Sequence, residues 1–366
     1  MTTIMITKKL KNCFMGEVPL KIVLKCNMIK SCTKSYLQRN GLVMRFKKKP
    51  SLIFFVVFCI LITSCSKETE SKNRIIIFHA GSLSVPLSEI KRSFQEKNSK
   101  LDIVLEAAGS RTCARKISDL KRDCDIMLSA DYSVINQLLI PKYASWCIKF
   151  VSNQMAIVYT NKSKYAKEIN SENWYKILMR KDVICGISNP NDDPCGYRSV
   201  LTMKLAQIYY KCSDLEGKIR DKKHGLIMRP KETDLLSLLE SNVIDYIFLY
   251  RSVAKQHHLK YINLPAQINL SNPKYSDFYK KANMKITGDK PGSFIIKRGA
   301  PMLYGVSIPK NAPNPVLAVK FVEFLLNKNE GLKIMEENGQ KSVVPSFSKT
   351  YIEIPTILKQ YALERK

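Results

Sequence analysis

The sequence predicts an α/β protein of two lobes, each built on a mostly parallel sheet covered by helices. Three observations carry that prediction. Short apolar runs alternate with helix-periodic stretches along the body of the chain. The turns between them are rich in Gly, Ser and Pro. After a leader, about 300 of the 366 residues remain, enough for about two domains of ordinary size.

The first unit is a strand over Arg74–His79 (RIIIFH), a break at Ala80-Gly81-Ser82, and a helix over Pro86–Lys97 whose Leu87, Ile90 and Phe94 recur at helical spacing. The second repeats it. Leu101–Leu105 alternates as a strand, Ala108-Gly109-Ser110 turns, and Cys113–Leu120 reads as an amphipathic helix. A third strand, Asp125–Leu128, closes at Ser129-Ala130-Asp131. Strands follow at Met155–Thr160, Val183–Ile187, Tyr246–Tyr250 and Tyr304–Ile308, with helices at Ser199–Tyr209, Leu235–Glu240 and Pro315–Leu326. Such βα alternation argues a parallel, helix-covered sheet, and two lobes fit it better than one.

The leader sets the compartment. Ser51–Ser64 is apolar apart from Ser and Thr, and Arg45, Lys47, Lys48 and Lys49 precede it. It is shorter than the roughly 20 residues a membrane span needs, and basic-then-apolar is the order of a secretory signal. The tetrapeptide Ile62-Thr63-Ser64-Cys65 resembles the lipobox of lipoprotein signals. Cys65 is therefore expected to be the lipidated first residue of the mature protein, anchored by two or three acyl chains. An uncleaved anchor helix is the alternative, and the body faces outward either way. Residues 1–43 precede a complete signal at 44–64, so Met44 is the expected start, with 1–43 a spurious or unstructured extension and 65–73 a linker.

The chain carries 60 Lys+Arg against 31 Asp+Glu, of which 12 and 1 fall within the first 64 residues, so the body keeps a net charge of about +18. Its lysines are scattered rather than interleaved with aromatics, and an exported protein rarely meets nucleic acid. The charge reads as anion steering or solubility, with no nucleic-acid partner. Of 11 cysteines, Cys13, Cys26, Cys32 and Cys59 lie in the leader. Beyond Cys65, six remain: Cys113, Cys124, Cys147, Cys185, Cys195 and Cys212. An even count in an oxidising compartment permits disulfides, buried free thiols fit as well, and the spacings match no zinc pattern.

Gly81-Ser82 and Gly109-Ser110 each sit where a strand's carboxyl end meets a helix. Ligands collect there in open α/β sheets, because helix N-termini offer unpaired N–H donors, Gly admits close approach and Ser adds a hydroxyl. Either pair alone is a turn with a helix cap; two in successive units point to a shared anion site. A third segment, Asn189–Arg198, again joins strand to helix, with Asp193 placed to cap and Pro194 in the first turn. His79, His224, His257 and His258 lie in unrelated elements, so no metal-ion site is expected. No Ser/His/Asp or Cys/His constellation, hydrolase elbow or cofactor fingerprint is present, so neither an enzyme nor a resident cofactor is expected.

These residues resemble the molybdate and tungstate binding proteins of ABC importers, in their archaeal-type branch. The likeness runs through FHAGSLSVPL (Phe78–Leu87), EAAGSRTCARKISDL (Glu106–Leu120), CDIMLSAD (Cys124–Asp131), DPCGYRS (Asp193–Ser199), YRSVAKQH (Tyr250–His257) and YGVSIPKNAPNP (Tyr304–Pro315). It implies a type II periplasmic binding fold with the ligand between the lobes: lobe I from 74–155 and 303–366, lobe II from 156–302. It further implies an oxyanion ligand held by Gly81, Ser82, Gly109, Ser110, Asp193, Cys195, Gly196, Tyr197 and Tyr250, with Asp193 coordinating the Mo or W centre. The implied partners are the importer's membrane subunits and, through the lipid, the membrane of the cell envelope; the protein itself is expected to be a monomer. The branch carries a second carboxylate, expected just before the Tyr-Arg-Ser-Val-Ala block where this chain has Leu249; Glu232 and Glu240 are the nearby acids. Sulfate or phosphate on the same fold is the alternative cargo, and an envelope enzyme or structural lipoprotein a remote one.

Overall fold

The computed structural model describes residues 73–221 and 226–364. The extension over 1–43, the signal over 44–64, Cys65 and the linker up to residue 72 lie outside the described residues. Among the described residues no helix is long and apolar enough to cross a membrane.

Strand β1 (Arg74–Ala80), helix α1 (Ser84–Lys97), strand β2 (Asp102–Ala108), helix α2 (Ser110–Ser118) and strand β3 (Ile126–Ser129) follow in order. β1 pairs in parallel with both β2 and β3, as the alternating pattern requires. Helix α3 (Tyr132–Leu138) precedes β4 (Ile148–Ser152), and only Asn153 and Gln154 separate β4 from β5 (Met155–Tyr159). There the chain enters a second sheet, made by β5, β6 (Cys185–Ser188), β7 (Leu226–Arg229), β8 (Tyr246–Tyr250) and β9 (Lys260–Asn263), with helix α4 (Pro194–Tyr209) after β6 and α5 (Arg251–Gln256) after β8. An antiparallel hairpin, β10 (Asn283–Thr287) with β11 (Phe294–Arg298), comes next. Strand β12 (Leu303–Ser307) returns to the first sheet, followed by α6 (Pro315–Leu326), α7 (Gly331–Glu337) and β13 (Lys341–Ser342).

The strand orders are β13-β4-β12-β3-β1-β2 and β7-β6-β8-β5-β9. In each sheet one crossing strand is antiparallel to both neighbours, β12 between β3 and β4 and β5 between β8 and β9, and in the first sheet β4 is likewise antiparallel to β12 and β13. The crossing strands are those by which the chain arrives from the other lobe, which is why the sheets are mixed where alternation alone predicts parallel pairing.

Burial follows the sequence pattern. Leu87, Ile90 and Phe94 form the buried face of α1, and Phe94 meets Phe321 and Phe324 of α6 edge-on at 5.2 Å; such aromatic pairs add about 1 kcal/mol to their area burial. Most of α4 is apolar and buried from Pro194 to Ala206, as befits a central helix. Its N-terminus lies against lobe I. The six cysteines are free thiols, five of them buried, so no disulfide forms among the described residues.

Candidate functional site

The two Gly-Ser turns meet the second lobe directly. Gly81 and Ser82 begin a 3-10 turn after β1, and a Cβ added at Gly81 would lie 2.9 Å from the Thr233 hydroxyl and 3.1 Å from a Glu232 carboxylate oxygen. Gly109 caps α2, and a Cβ there would sit 2.4 Å from the Asp192 carbonyl oxygen. Both glycines are therefore needed for close approach of the lobes. Backbone bonds secure the second meeting: the Arg111 amide donates to the Asp192 carbonyl at 3.0 Å, and the Arg111 Nε donates to the Asn191 carbonyl at 2.9 Å.

The serine hydroxyls are prepared as donors. Ser110 is fully buried and its Oγ accepts the Ala130 N–H at 2.9 Å, leaving its own hydrogen to point elsewhere. Ser82 lies 3.0 Å from the Tyr304 hydroxyl, which accepts from Asn153 Nδ2 at 3.1 Å. The Asn153 Oδ1 accepts the Gln154 N–H at 2.9 Å, which fixes the amide's orientation. Either hydroxyl of the Ser82–Tyr304 pair can be the donor; in the order where Tyr304 donates, Ser82 is left to donate in turn.

Opposite the serines stand two acids. Asp193 caps α4, its Oδ1 accepting from the Cys195 N–H at 3.2 Å, and its Oδ2 accepts from the Glu232 N–H at 3.0 Å. Glu232 opens a 3-10 turn after β7. Both side chains are fully buried, and neither Glu232 carboxylate oxygen has a hydrogen-bond partner. Burial raises the Asp193 pKa above its usual value, and burial together with the Asp193 charge raises that of Glu232 well above its own. Two buried carboxyls side by side are held together by a shared proton or by a cationic centre between their oxygens, so the Glu232 oxygens mark a place where a ligand can bind.

A second polar cluster borders the first. Asp131 of lobe I accepts from Tyr197 Oη at 2.6 Å and Lys297 Nζ at 2.5 Å, with Arg198 Nη2 at 3.7 Å. Arg198 also donates to the Ala130 carbonyl at 2.7 Å and the Tyr250 hydroxyl at 2.9 Å. Burial opposes ionisation of Asp131, but Lys297 and Arg198 outweigh it and hold its carboxyl well below the usual range. Burial and the Asp131 charge raise the Tyr197 phenol instead. One lobe I acid thus ties three lobe II side chains.

These residues match the family described as bacterial extracellular solute-binding protein over residues 75–341. The chain belongs to that family. Among its relatives, the molybdate/tungstate-binding protein WtpA of Pyrococcus abyssi is 42% identical over 321 residues, covering 79% of this chain and 91% of that protein. An uncharacterized solute-binding protein of Petrotoga mobilis is 48% identical over 291 residues, covering 80% and 90%. In fold the chain is similar to the Azotobacter vinelandii periplasmic molybdate-binding protein, with a TM-score of 0.54 at 15% identity over 74% of this chain and 99% of that one. It is also similar to the sulfate-binding protein SubI of Mycobacterium tuberculosis, at 0.53 and 11%, covering 75% and 88%. The two-lobed periplasmic binding fold is thereby established, and the protein is a solute-binding protein.

Within this family member, Gly81, Ser82, Gly109, Ser110 and Asp193 come together at the lobe boundary. Cys195 lends its amide to Asp193 while its thiol faces the Phe248 carbonyl at 3.6 Å. Gly196 packs on the Ser188 carbonyl, where a Cβ would come within 2.3 Å. Tyr197 and Tyr250 belong to the neighbouring Asp131–Arg198 cluster. Leu249 is fully buried core in β8, on the face opposite Tyr250, and the acid beside Asp193 is Glu232. Sequence reading did not single out Arg111, Asp131, Arg198 or Lys297, whose roles rest on contacts between segments far apart in the chain.

Proposed function

We propose that the protein is the extracytoplasmic solute-binding component of an ABC importer and that its cargo is molybdate or tungstate. The observation that carries this reading is the buried pair Asp193 and Glu232, the latter without a hydrogen-bond donor on either carboxylate oxygen, beside the Gly-Ser turns. Magnitudes discriminate between cargoes. A carboxylate about 4 Å from a unit charge of a dianion is repelled by about 4 kcal/mol at an effective dielectric of about 20. Two such carboxylates outweigh the roughly 1.5 to 3 kcal/mol that each hydroxyl donor returns. Burial favours a proton shared by the pair, which relieves part of that repulsion; sulfate and phosphate, whose centres accept no further ligand, gain no bond from the carboxylates in return. A hard Mo(VI) or W(VI) centre accepts the carboxylate oxygens as ligands and converts repulsion into bonding.

The groups divide the work. Ser82 and Ser110 donate to the oxyanion, Asp193 and Glu232 bind its centre, and Gly81 and Gly109 let the lobes close on it. Calorimetric titration with molybdate, tungstate and sulfate tests the reading. Asp193→Asn and Glu232→Gln are each expected to weaken molybdate and tungstate by about tenfold or more, about 1.4 kcal/mol, while leaving sulfate unchanged or improved. A Glu232→Gln protein that binds molybdate as tightly as the parent sinks it. The same proposal anchors the chain through lipidated Cys65; Cys65→Ser is expected to release the protein from membranes or leave it unprocessed, and unchanged attachment at unchanged mass rejects the anchor.

A further inference from the structure

A cavity of about 400 Å³ opens beside the β4–β5 crossing, away from the serines and acids of the cleft. Its walls come from both lobes: Ser152 and Lys341 from the first sheet's strands, Arg251 and Asn272 from the second lobe, and Asn153 from the crossing itself. No acidic residue is among those that line it. The Arg251 Nε is buried without a hydrogen-bond partner. Neither Arg251 nor Lys341 forms an ion pair among the described residues. A third cation, Lys255, passes beside Gly339 at the same rim.

Cations facing one cavity without a counter-charge repel each other, and a buried unpaired guanidinium nitrogen costs more again. The mutual repulsion disappears when an anion enters the cavity. A guanidinium presents its donors as a fork suited to phosphate, and an ammonium adds a point charge. The volume falls within the range of small-molecule sites and exceeds what a bare tetrahedral oxyanion fills. We propose that this hinge cavity is a second anion site, and that it takes a phosphate monoester. Because its walls belong to both lobes, a ligand there fits open and closed arrangements unequally. Asn153 also bonds the Tyr304 hydroxyl that orders Ser82, so occupancy at the hinge and in the cleft are linked, and the linkage is reciprocal.

Phenyl phosphate is the probe, titrated calorimetrically into the parent protein and into Arg251→Gln, Lys341→Gln and Ser110→Ala. The expected result is a single saturable site weakened at least tenfold in Arg251→Gln and in Lys341→Gln, and unchanged in Ser110→Ala. The exposed Lys341 keeps the test valid should Arg251→Gln fail to fold. Binding lost in Ser110→Ala but kept in the hinge variants places the probe in the cleft and overturns the proposal. Phosphatidylcholine vesicles with and without phosphatidic acid distinguish the source of the phosphate. Arg251-dependent sedimentation with phosphatidic acid, without binding of phenyl phosphate, assigns the site to a lipid headgroup. No binding of either kind overturns it.

Discussion

At the scale of single residues, hydrogen-bond direction does more than proximity. Asn153 and Tyr304 stand behind Ser82, and in the proton order where Tyr304 donates, Ser82 is left to donate toward the cleft. Tyr304→Phe removes that order while keeping the ring in its packing, and is expected to weaken oxyanion binding by about five- to tenfold, the worth of about one hydrogen bond of roughly 1 kcal/mol; calorimetry with molybdate checks it. His79 gives a pH prediction. Burial lowers its pKa from 6.5 to about 4, so it is neutral in the fold, its Nδ1 2.8 Å from the Ala80 carbonyl. As pH falls from about 6.5 toward about 4 the unfolded chain takes up a proton that the folded one refuses, and stability declines by up to about 3 kcal/mol. Above about 6.5 the contribution is complete and flat. His79→Gln is expected to flatten this window, as read from urea midpoints measured at about pH 7 and about pH 4.5. Sequence alone shows how much of this can be read in advance. The Gly-Ser pairs and Asp193 stand out because a strand end, a small residue and a helix start coincide. Glu232 carries no such local mark: it lies 39 residues beyond Asp193, and only the fold makes them neighbours.

At the scale of elements, the strand-to-helix turns act as contact surfaces between lobes as much as ligand loops. Gly109 has φ −57°, a conformation any residue adopts, so its requirement is purely steric. Gly109→Ala is therefore expected to leave the unliganded fold near its parent stability and to weaken binding by about tenfold or more, because the added methyl meets the Asp192 carbonyl only when the lobes close; thermal melts and titration read the two effects separately. Most strands and helices followed from apolar spacing, as with Tyr246–Tyr250 and Pro315–Leu326, whose predicted and observed bounds coincide. The β10–β11 hairpin did not. Apart from the buried Ile286, its strands hold exposed and half-buried positions, with Lys285, Lys297 and Arg298 among them, and a ribbon lacking a continuous apolar face gives a weak period-2 signal. Yet that hairpin supplies Lys297 to Asp131, and its Thr287 takes a bond from Arg115 at 2.7 Å.

At the scale of the whole molecule, closure is a balance between ligand contacts and direct lobe-to-lobe bonds. The Asp131 cluster belongs to the second kind, so Lys297→Met is expected to shift the balance toward the open form and weaken oxyanion binding by about tenfold, with little added salt dependence because the pair is buried; small-angle scattering of the liganded variant checks the shift. The chain's route through the two sheets sets the order in which the molecule can assemble. β12 lies between β3 and β4, so the first sheet stays split until residues 303–307 arrive, and its central pairing joins segments more than 170 residues apart. The second sheet is built from the unbroken stretch 155–263. Long-range pairing is slow, and continuous segments fold first. An excised fragment spanning 155–300 is thus expected to fold cooperatively, as followed by circular dichroism in urea, whereas a chain ending before residue 303 is expected to carry a half-sheet with unpaired edges and to aggregate. During synthesis and secretion the insert can become a finished body while its host is still two loose halves, which makes a late-made strand the keystone of the first-made lobe.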